Sequence, residues 1–146
     1  MRLLVIGIIV AIAAAVVAIA VVPRGTAPSA PSSAVAETAA FSDRYQPYSE
    51  QALSEAGPDD TVVLFFSAAW CGTCKVLRDD IAANQQSIPD GVRILLVDFD
   101  DSTELKQKYD VVAQHTLVQA DNAGEGIARW NSSRSLEELL ATIVAV

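Results

Sequence analysis

The distribution of apolar residues divides the chain into three parts. Residues 1–22 contain a run from Leu3 to Val22 without a charged or strongly polar side chain. Residues 23–40 are rich in Pro, Ala and Ser, and residues 41–146 alternate apolar runs with polar turns. Twenty helical residues rise about 30 Å, the thickness of a bilayer core. We therefore predict a transmembrane helix, then a flexible linker, then a globular domain.

A cleaved signal peptide is the main alternative to this membrane anchor. Its apolar region normally runs about 7–15 residues and ends near an Ala-x-Ala site. An Ala34-Val35-Ala36 sequence does occur, but it begins twelve residues after Val22, too far from the apolar run for a typical cleavage site. Arg2 and Arg24 flank the span and give a weak orientation signal. A short N-terminus followed by one span favours a domain outside the cytoplasm, in a periplasmic or other extracytoplasmic space, and we expect a bacterial protein.

Short β-branched runs alternate with segments of helical spacing in the globular part. The pattern predicts helices over residues 49–56, 71–83 and 102–109 and from 135 onward, and strands over 61–67, 92–98, 117–120 and 127–130. Turn residues 121–124 place the last two strands in an antiparallel hairpin. Strands that alternate with helices before a hairpin predict an α/β fold, with a mixed central sheet covered by helices on both faces.

The globular part is acidic. All 18 acidic residues and eight of the ten basic residues lie from Glu37 onward, which gives that part a net charge of −10. Such a charge argues against binding to nucleic acid or to anionic lipid headgroups. We expect a monomeric domain, with membrane contact through residues 3–22 alone.

The two cysteines of the chain lie two residues apart in Trp70-Cys71-Gly72-Thr73-Cys74, directly after an apolar strand and at the start of a helical pattern. A disulfide stabilises a fold most when it closes a long loop. In the chain-entropy model a four-residue loop gives about 2 kcal/mol, against about 4.7 kcal/mol for a 100-residue loop. The spacing therefore favours a pair that opens and closes over a structural crosslink.

The strand TVVLFFSAAW running into CGTCK resembles the thioredoxin-like superfamily. Further similarity lies in VDFD followed by YDV, and then in QHTL before the hairpin, so that the resemblance covers about residues 45–146. It implies a three-layer sandwich and a thiol–disulfide oxidoreductase that acts on protein thiols and disulfides, without a cofactor. Direction of electron flow and partner identity stay open.

The resemblance assigns roles to particular residues. Cys71, at the helix N-terminus, is the nucleophile, and Cys74, one turn later and more buried, is the resolving thiol. A substrate groove is expected from the residues flanking the motif and from the loop before the third predicted strand, namely Trp70, Gly72, Thr73, Gln114, His115 and Thr116.

Two positions depart from the family pattern. His115, the one histidine of the chain, stands where the family has a proline in cis. A cis peptide before a residue other than proline costs about 3 kcal/mol, so we expect a trans bond or local strain. Phe65 occupies the place of a buried acidic residue that relatives use to accept the resolving thiol's proton. We therefore predict slower exchange or a narrower set of partners.

Two other functions remain as alternatives. Cys71, Cys74 and His115 form a donor set suited to Cu(I) or zinc, which gives a metal-binding or copper-delivery module. Against it, structural zinc normally has four protein ligands. The second alternative is a non-catalytic interaction domain on the same scaffold, and the intact WCGTC motif argues against it.

Overall fold

The computed structural model describes residues 41–145. The predicted membrane anchor (1–22) and linker (23–40) lie outside these residues. Within residues 41–145 there is no helix with the length and apolar character of a membrane span.

Five strands and four α-helices make up the described domain, with a short 3-10 turn at Gln85–Ser87 after the second helix. The strands are β1 Tyr45–Pro47, β2 Thr61–Ser67, β3 Val92–Asp98, β4 Thr116–Ala120 and β5 Gly126–Asn131. The helices are α1 Glu50–Ser54, α2 Gly72–Ala83, α3 Thr103–Lys108 and α4 Leu136–Thr142.

The sheet is mixed, as predicted, with the strand order β1-β3-β2-β4-β5. β3 pairs in parallel with β1 and β2, whereas β4 runs antiparallel to both β2 and β5. The predicted ranges of β2 and β3 are confirmed residue for residue. β2 lies at the centre of the sheet, so its carboxyl end leads from the interior of the domain directly into the cysteine motif.

Alternate residues of β2 belong to two separate hydrophobic clusters, one on each face of the sheet. Val63 and Phe65 pack in a cluster with buried residues of α2 and α4. Val62, Leu64 and Phe66 pack in the other, which contains α1 and the chain around α3. Helices therefore cover both faces of the sheet, and the predicted arrangement in three layers is confirmed.

β1 is a strand that the hydrophobic pattern did not predict. It has three residues and ends in Pro47, which a strand tolerates only where its N–H is not needed for pairing. Tyr45 lies in this edge strand, and its side chain is completely buried. Two predicted helix starts are confirmed at their caps: Ser49 accepts from the N–H of Ala52, and Ser135 accepts from the N–H of Glu138.

Candidate active site

Cys71 is the N-cap of α2. Its backbone is extended, with φ −85° and ψ 108°, and its Sγ accepts a hydrogen bond of 3.2 Å from the N–H of Cys74. The first N–H groups of a helix have no partner within the helix and carry partial positive charge. A thiolate at Cys71 would be stabilised by these groups, as the sequence predicts.

The two sulfurs form a disulfide across the first turn of α2, with 5.2 Å between the Cα atoms. Cys74 is completely buried and Cys71 is 5% exposed. We expected a more open sulfur at Cys71. Of the two cysteines, only Cys71 has any solvent-exposed surface in the disulfide form.

Thr73 and His115 lie beside the disulfide and are linked to each other. The hydroxyl oxygen of Thr73 lies 3.4 Å from the Sγ of Cys71 and 3.1 Å from the Nδ1 of His115. On the other side of the ring, Nε2 donates to the carbonyl oxygen of Ser133 at 2.7 Å. These bonds bring His115, 41 residues beyond Cys74 in the sequence, to the start of α2.

From the sequence we expect a trans peptide bond or local strain at His115, and its backbone shows both features. All peptide bonds within residues 41–145 are trans, and His115 has a φ of +59°, which is rare for a residue with a side chain. Its N–H donates to the carbonyl oxygen of Phe66 at 2.8 Å, a bond that proline cannot make. The loop before β4 is therefore attached to β2 by a histidine where the family pattern has proline.

Trp70 is held on the opposite side of the motif. Its side chain is 65% exposed, and its indole N–H donates to Asp100 Oδ2 at 2.9 Å. Asp100 lies in the turn after β3, where Asp98 Oδ1 accepts from the N–H groups of Asp100 and Asp101. This turn presents Trp70 as an exposed apolar surface next to Cys71.

The remaining predicted groove residues differ in how they could meet a substrate. A methyl group at Gly72 would meet no other atom within 4 Å, so the space above it is open. Gln114 is partly exposed beside His115. Thr116 is buried, and its hydroxyl donates to the carbonyl oxygen of Ala113 at 2.7 Å. Its side chain therefore stabilises the loop before β4.

Arg78 contributes to the site without having been predicted. Its guanidinium donates to the hydroxyl of Ser67 and, at 3.2 Å, to the carbonyl oxygen of Ala68. It thereby ties α2 to the segment between β2 and the cysteines. The sequence placed Arg78 on the polar side of α2, and its spacing of seven residues from Cys71, two helical turns, is the signal that could have revealed it.

Two buried aromatic residues, Phe65 and Tyr45, lie in the hydrophobic cluster that contains the cysteines. Phe65 is fully buried in the cluster that contains both cysteines, so its position offers no carboxylate. Tyr45 lies in the same cluster, and its hydroxyl is a buried polar atom without a hydrogen-bond partner. Burial raises the pKa of that hydroxyl, an effect partly opposed by the charge of Arg78.

Cys71, Cys74 and His115 also form a group that could hold a metal ion. Their sulfur and imidazole ligand atoms lie within 4.8 Å of one another, and all three residues are buried. The structure thus brings together the donor set that the sequence proposed for the metal alternative.

The thioredoxin family model matches residues 44–145 of this chain. Thioredoxin-3 from yeast mitochondria is 35% identical over 60 residues, which cover 41% of this chain and 46% of that protein. Thioredoxin of Pongo abelii is 31% identical over 94 residues, which cover 64% of this chain and 86% of that protein. The crystal structure of Fasciola hepatica thioredoxin is similar with a TM-score of 0.53 and 30% identity, covering 64% of this chain and 86% of that one. The alignment to the yeast protein spans about half its length.

Proposed function

Because this chain belongs to the thioredoxin family, we propose that it is a thiol–disulfide oxidoreductase that exchanges disulfides with protein partners. The observation that carries the proposal is the Cys71–Cys74 disulfide at the start of α2, in which the capping residue Cys71 is 5% exposed and Cys74 is completely buried. The proposed exchange uses this difference, because Cys71 must contact the partner while Cys74 stays buried until it attacks the mixed disulfide.

The exchange proceeds in two displacements. The thiolate of reduced Cys71 attacks a partner disulfide, forms a mixed disulfide and releases one partner thiolate. Cys74 then loses its proton and attacks the Sγ of Cys71, which forms the intramolecular disulfide and releases the second thiolate. The two released thiolates take up protons, so two electrons have passed from the dithiol to the partner. The reverse sequence oxidises a partner dithiol.

Partner binding is proposed for the surface around Trp70, Gly72 and the loop that carries Gln114 and His115. The exposed indole of Trp70 offers apolar area, and the open space above Gly72 admits an extended backbone. Thr73 lies between these two sides and contacts both Cys71 and His115. This groove fits a protein segment around a disulfide better than an enclosed small molecule.

Membrane attachment and location are part of the same proposal. The apolar run Leu3–Val22 would anchor the domain, and the linker would let it reach partners at the membrane surface. The domain would then lie outside the cytoplasm. Protease added to intact spheroplasts should degrade it, and full protection there with degradation after lysis would place it on the cytoplasmic side.

The exchange activity is tested with the full chain in mild detergent. The protein should catalyse reduction of insulin by dithiothreitol, and Cys71→Ser should abolish catalysis. Cys74→Ser should instead accumulate mixed disulfides with partners, because the resolving thiol is missing. Ala123→Ser, a change of similar size in the exposed turn before β5, should keep wild-type activity. Equal activity of Cys71→Ser and wild type would refute the proposal.

The direction of electron flow is set by the reduction potential. Titration against glutathione buffers measures it, and a value well below about −220 mV would identify a reductant, given about −270 mV for thioredoxin and about −120 mV for DsbA. The alternative function, copper delivery to a partner, uses Cys71, Cys74 and His115 and stays a hypothesis.

A further inference from the structure

Three ligand atoms meet at the N-terminal end of α2, and the exchange reaction needs only two of them. The Sγ atoms of Cys71 and Cys74 and a ring nitrogen of His115 lie within 4.8 Å of one another. Thiolates and imidazole are the ligands that bind soft cations such as Cu(I). The buried imidazole therefore has a chemical use that disulfide exchange does not require.

The imidazole of His115 is oriented with Nδ1 toward Thr73, at the start of α2. Nε2 lies 2.7 Å from the carbonyl oxygen of Ser133, which can only accept, so Nε2 carries a hydrogen. In the neutral ring the free lone pair is then on Nδ1, which faces Thr73 and the start of α2. Metal-binding histidines almost always donate their other ring N–H to a carbonyl or carboxylate in this way.

The support for this orientation extends beyond the ring. The indole N–H of Trp130 donates to the hydroxyl of Ser133 at 3.1 Å, which fixes the residue that accepts from His115. The strained φ of +59° and the N–H bond to Phe66 fix the backbone of His115 itself. Backbone strain of this kind persists only where the surrounding structure enforces it. The ligand is therefore preorganised.

We propose that the reduced protein binds one Cu(I) ion through Cys71 Sγ, Cys74 Sγ and His115 Nδ1. The cluster contains two soft sulfurs, one imidazole and no carboxylate. Zinc sites in proteins are completed to four ligands, by a fourth side chain or by water at an open position. A buried site with three donors instead suits Cu(I), for which two thiolates and one imidazole would complete the coordination.

Metal binding and the disulfide exclude each other. The disulfide must first gain two electrons from a dithiol or phosphine reductant, with the two protons coming from the dithiol or, with a phosphine, from water. Each thiol then loses its proton when its sulfur binds the ion, so two protons are released and copper stays in the +1 state. Oxidation of the pair to the disulfide removes both thiolate ligands, and the site changes from a metal site into an oxidant.

Thr73 is placed to support the bound ion. Its hydroxyl now contacts both Cys71 Sγ and His115 Nδ1. Once copper occupies the lone pair of Nδ1, the hydroxyl can donate to the thiolate of Cys71. Removal of a supporting partner of this kind typically weakens metal binding by about 10–100-fold. Thr73→Val should therefore reduce the affinity without abolishing it.

The test is an anaerobic titration of the full chain in mild detergent, reduced with a phosphine that needs no exchange activity. The probe is the Cu(I)–bicinchoninate complex, from which the protein should withdraw one equivalent of Cu(I). His115→Ala should lower the affinity more than about 100-fold, beyond the effect of a supporting residue. Asn122→Ala, in the exposed turn after β4, should bind as the wild type does.

X-ray absorption at the copper edge is a second measurement, and it uses the wild-type complex alone. It should show two sulfurs and one nitrogen around the ion, and a spectrum with sulfur ligands alone would overturn the proposal. So would equal affinity in His115→Ala, undiminished binding by the oxidised protein, or displacement of Cu(I) by one equivalent of Zn(II). Insulin reduction is measured separately, so a failure of copper binding is distinguished from a failure of disulfide exchange.

Discussion

The ring of Phe65 lies edge-on to the imidazole of His115, with 5.6 Å between the ring centroids and 66° between the planes. Both side chains are buried beside the disulfide. Phe65 stands where the family resemblance implies an acidic proton acceptor, and His115 stands where it implies proline. The interior next to Cys74 is therefore apolar at one of these positions and carries an imidazole at the other.

The resolving step should consequently be slow. Without a carboxylate at position 65, the proton of Cys74 must leave through water, His115 or the partner. General-base assistance is worth about 10²–10⁴-fold. We expect insulin reduction at least about 10-fold slower than by a thioredoxin that has an acidic residue there, when the two are compared at equal concentration of reduced enzyme.

Stopped-flow measurement of the mixed-disulfide intermediate locates the slow step. The intermediate should accumulate in the wild-type protein and decay slowly, because formation at Cys71 is unaffected and resolution by Cys74 is impaired. Insulin reduction as fast as that of an ordinary thioredoxin would contradict this account of Phe65.

The contact between Trp70 and Asp100 should matter for partner binding more than for stability. Asp100→Ala removes the acceptor of the indole N–H, so the exposed ring loses its fixed position. We expect a several-fold higher KM for a protein disulfide with little change in kcat, and a changed Trp70 fluorescence. The free energy of unfolding should change by less than about 0.5 kcal/mol, since both groups are exposed.

Two matched variants control this prediction. Asp100→Asn keeps an oxygen that can accept from the indole and should retain a near wild-type KM. Asp101→Ala removes the same charge from the neighbouring exposed position and should leave KM unchanged. A rise in KM of equal size in Asp101→Ala would show that charge, and not the position of the indole, is responsible.

Tyr45→Phe should stabilise the domain. The Tyr45 hydroxyl is buried without a hydrogen-bond partner in the described part of the chain, and leaving such a group unpaired costs about 1–3 kcal/mol. Removal of the oxygen keeps the ring packed in β1 and should raise the free energy of unfolding in urea by about 1 kcal/mol. In Tyr48→Phe the hydroxyl lost is an exposed one that donates to Glu50 Oε1, so we expect no gain.

The carboxylate of Asp60 should make stability depend on acid pH. It accepts from Arg93 Nε and from the N–H of Gly57, both at 2.8 Å, and the bond from Arg93 is the main cause of its lowered pKa. A folded-state pKa below the usual 3.8 means that Asp60 stabilises the domain above about pH 4. This contribution is lost as the pH falls through 3.8 toward the lower folded-state value.

Urea unfolding at several pH values measures the effect. Asp60→Asn should be less stable than wild type at pH 7, and the difference should shrink below pH 4. Asp90→Asn is the matched control, because Asp90 pairs with Arg44 while its side chain is 94% exposed, and solvent screens such a pair. A constant deficit of Asp60→Asn from pH 7 to pH 2 would contradict the assignment.

The central strands and the cysteine helix were predictable because their signals are local. TVVLFFS and the central ILLV of VRILLVD are short, β-branched apolar runs bounded by turn residues, as is typical of strands buried on both faces. β1 was missed because three residues ending in proline carry no periodicity, and its place is set by pairing with β3. The sequence also gives no signal for the role of Gln119. Its buried amide donates a hydrogen bond to the carbonyl oxygen of Val144 and accepts one from the N–H of Val144.

The same distinction between local and long-range signals applies to the candidate site. Spacing within the motif identified both cysteines and the helix that positions them. The partnership of His115 with Thr73 and Ser133 joins segments 42 and 18 residues apart, so only the folded chain reveals it. The helix pattern predicts a surface position for Arg78, because such a pattern cannot distinguish solvent from the end of a neighbouring strand.

The bond from Trp130 to Ser133 gives the molecule a built-in optical readout. The carbonyl oxygen of Ser133 accepts from His115 and its hydroxyl accepts from this indole, so a ligand that displaces the imidazole should change the surroundings of Trp130. Trp70, on the side of the motif that faces Asp100, should respond instead to a partner bound in the proposed groove. Since the chain has two tryptophans, their emission could separate docking from events at the imidazole without an attached dye.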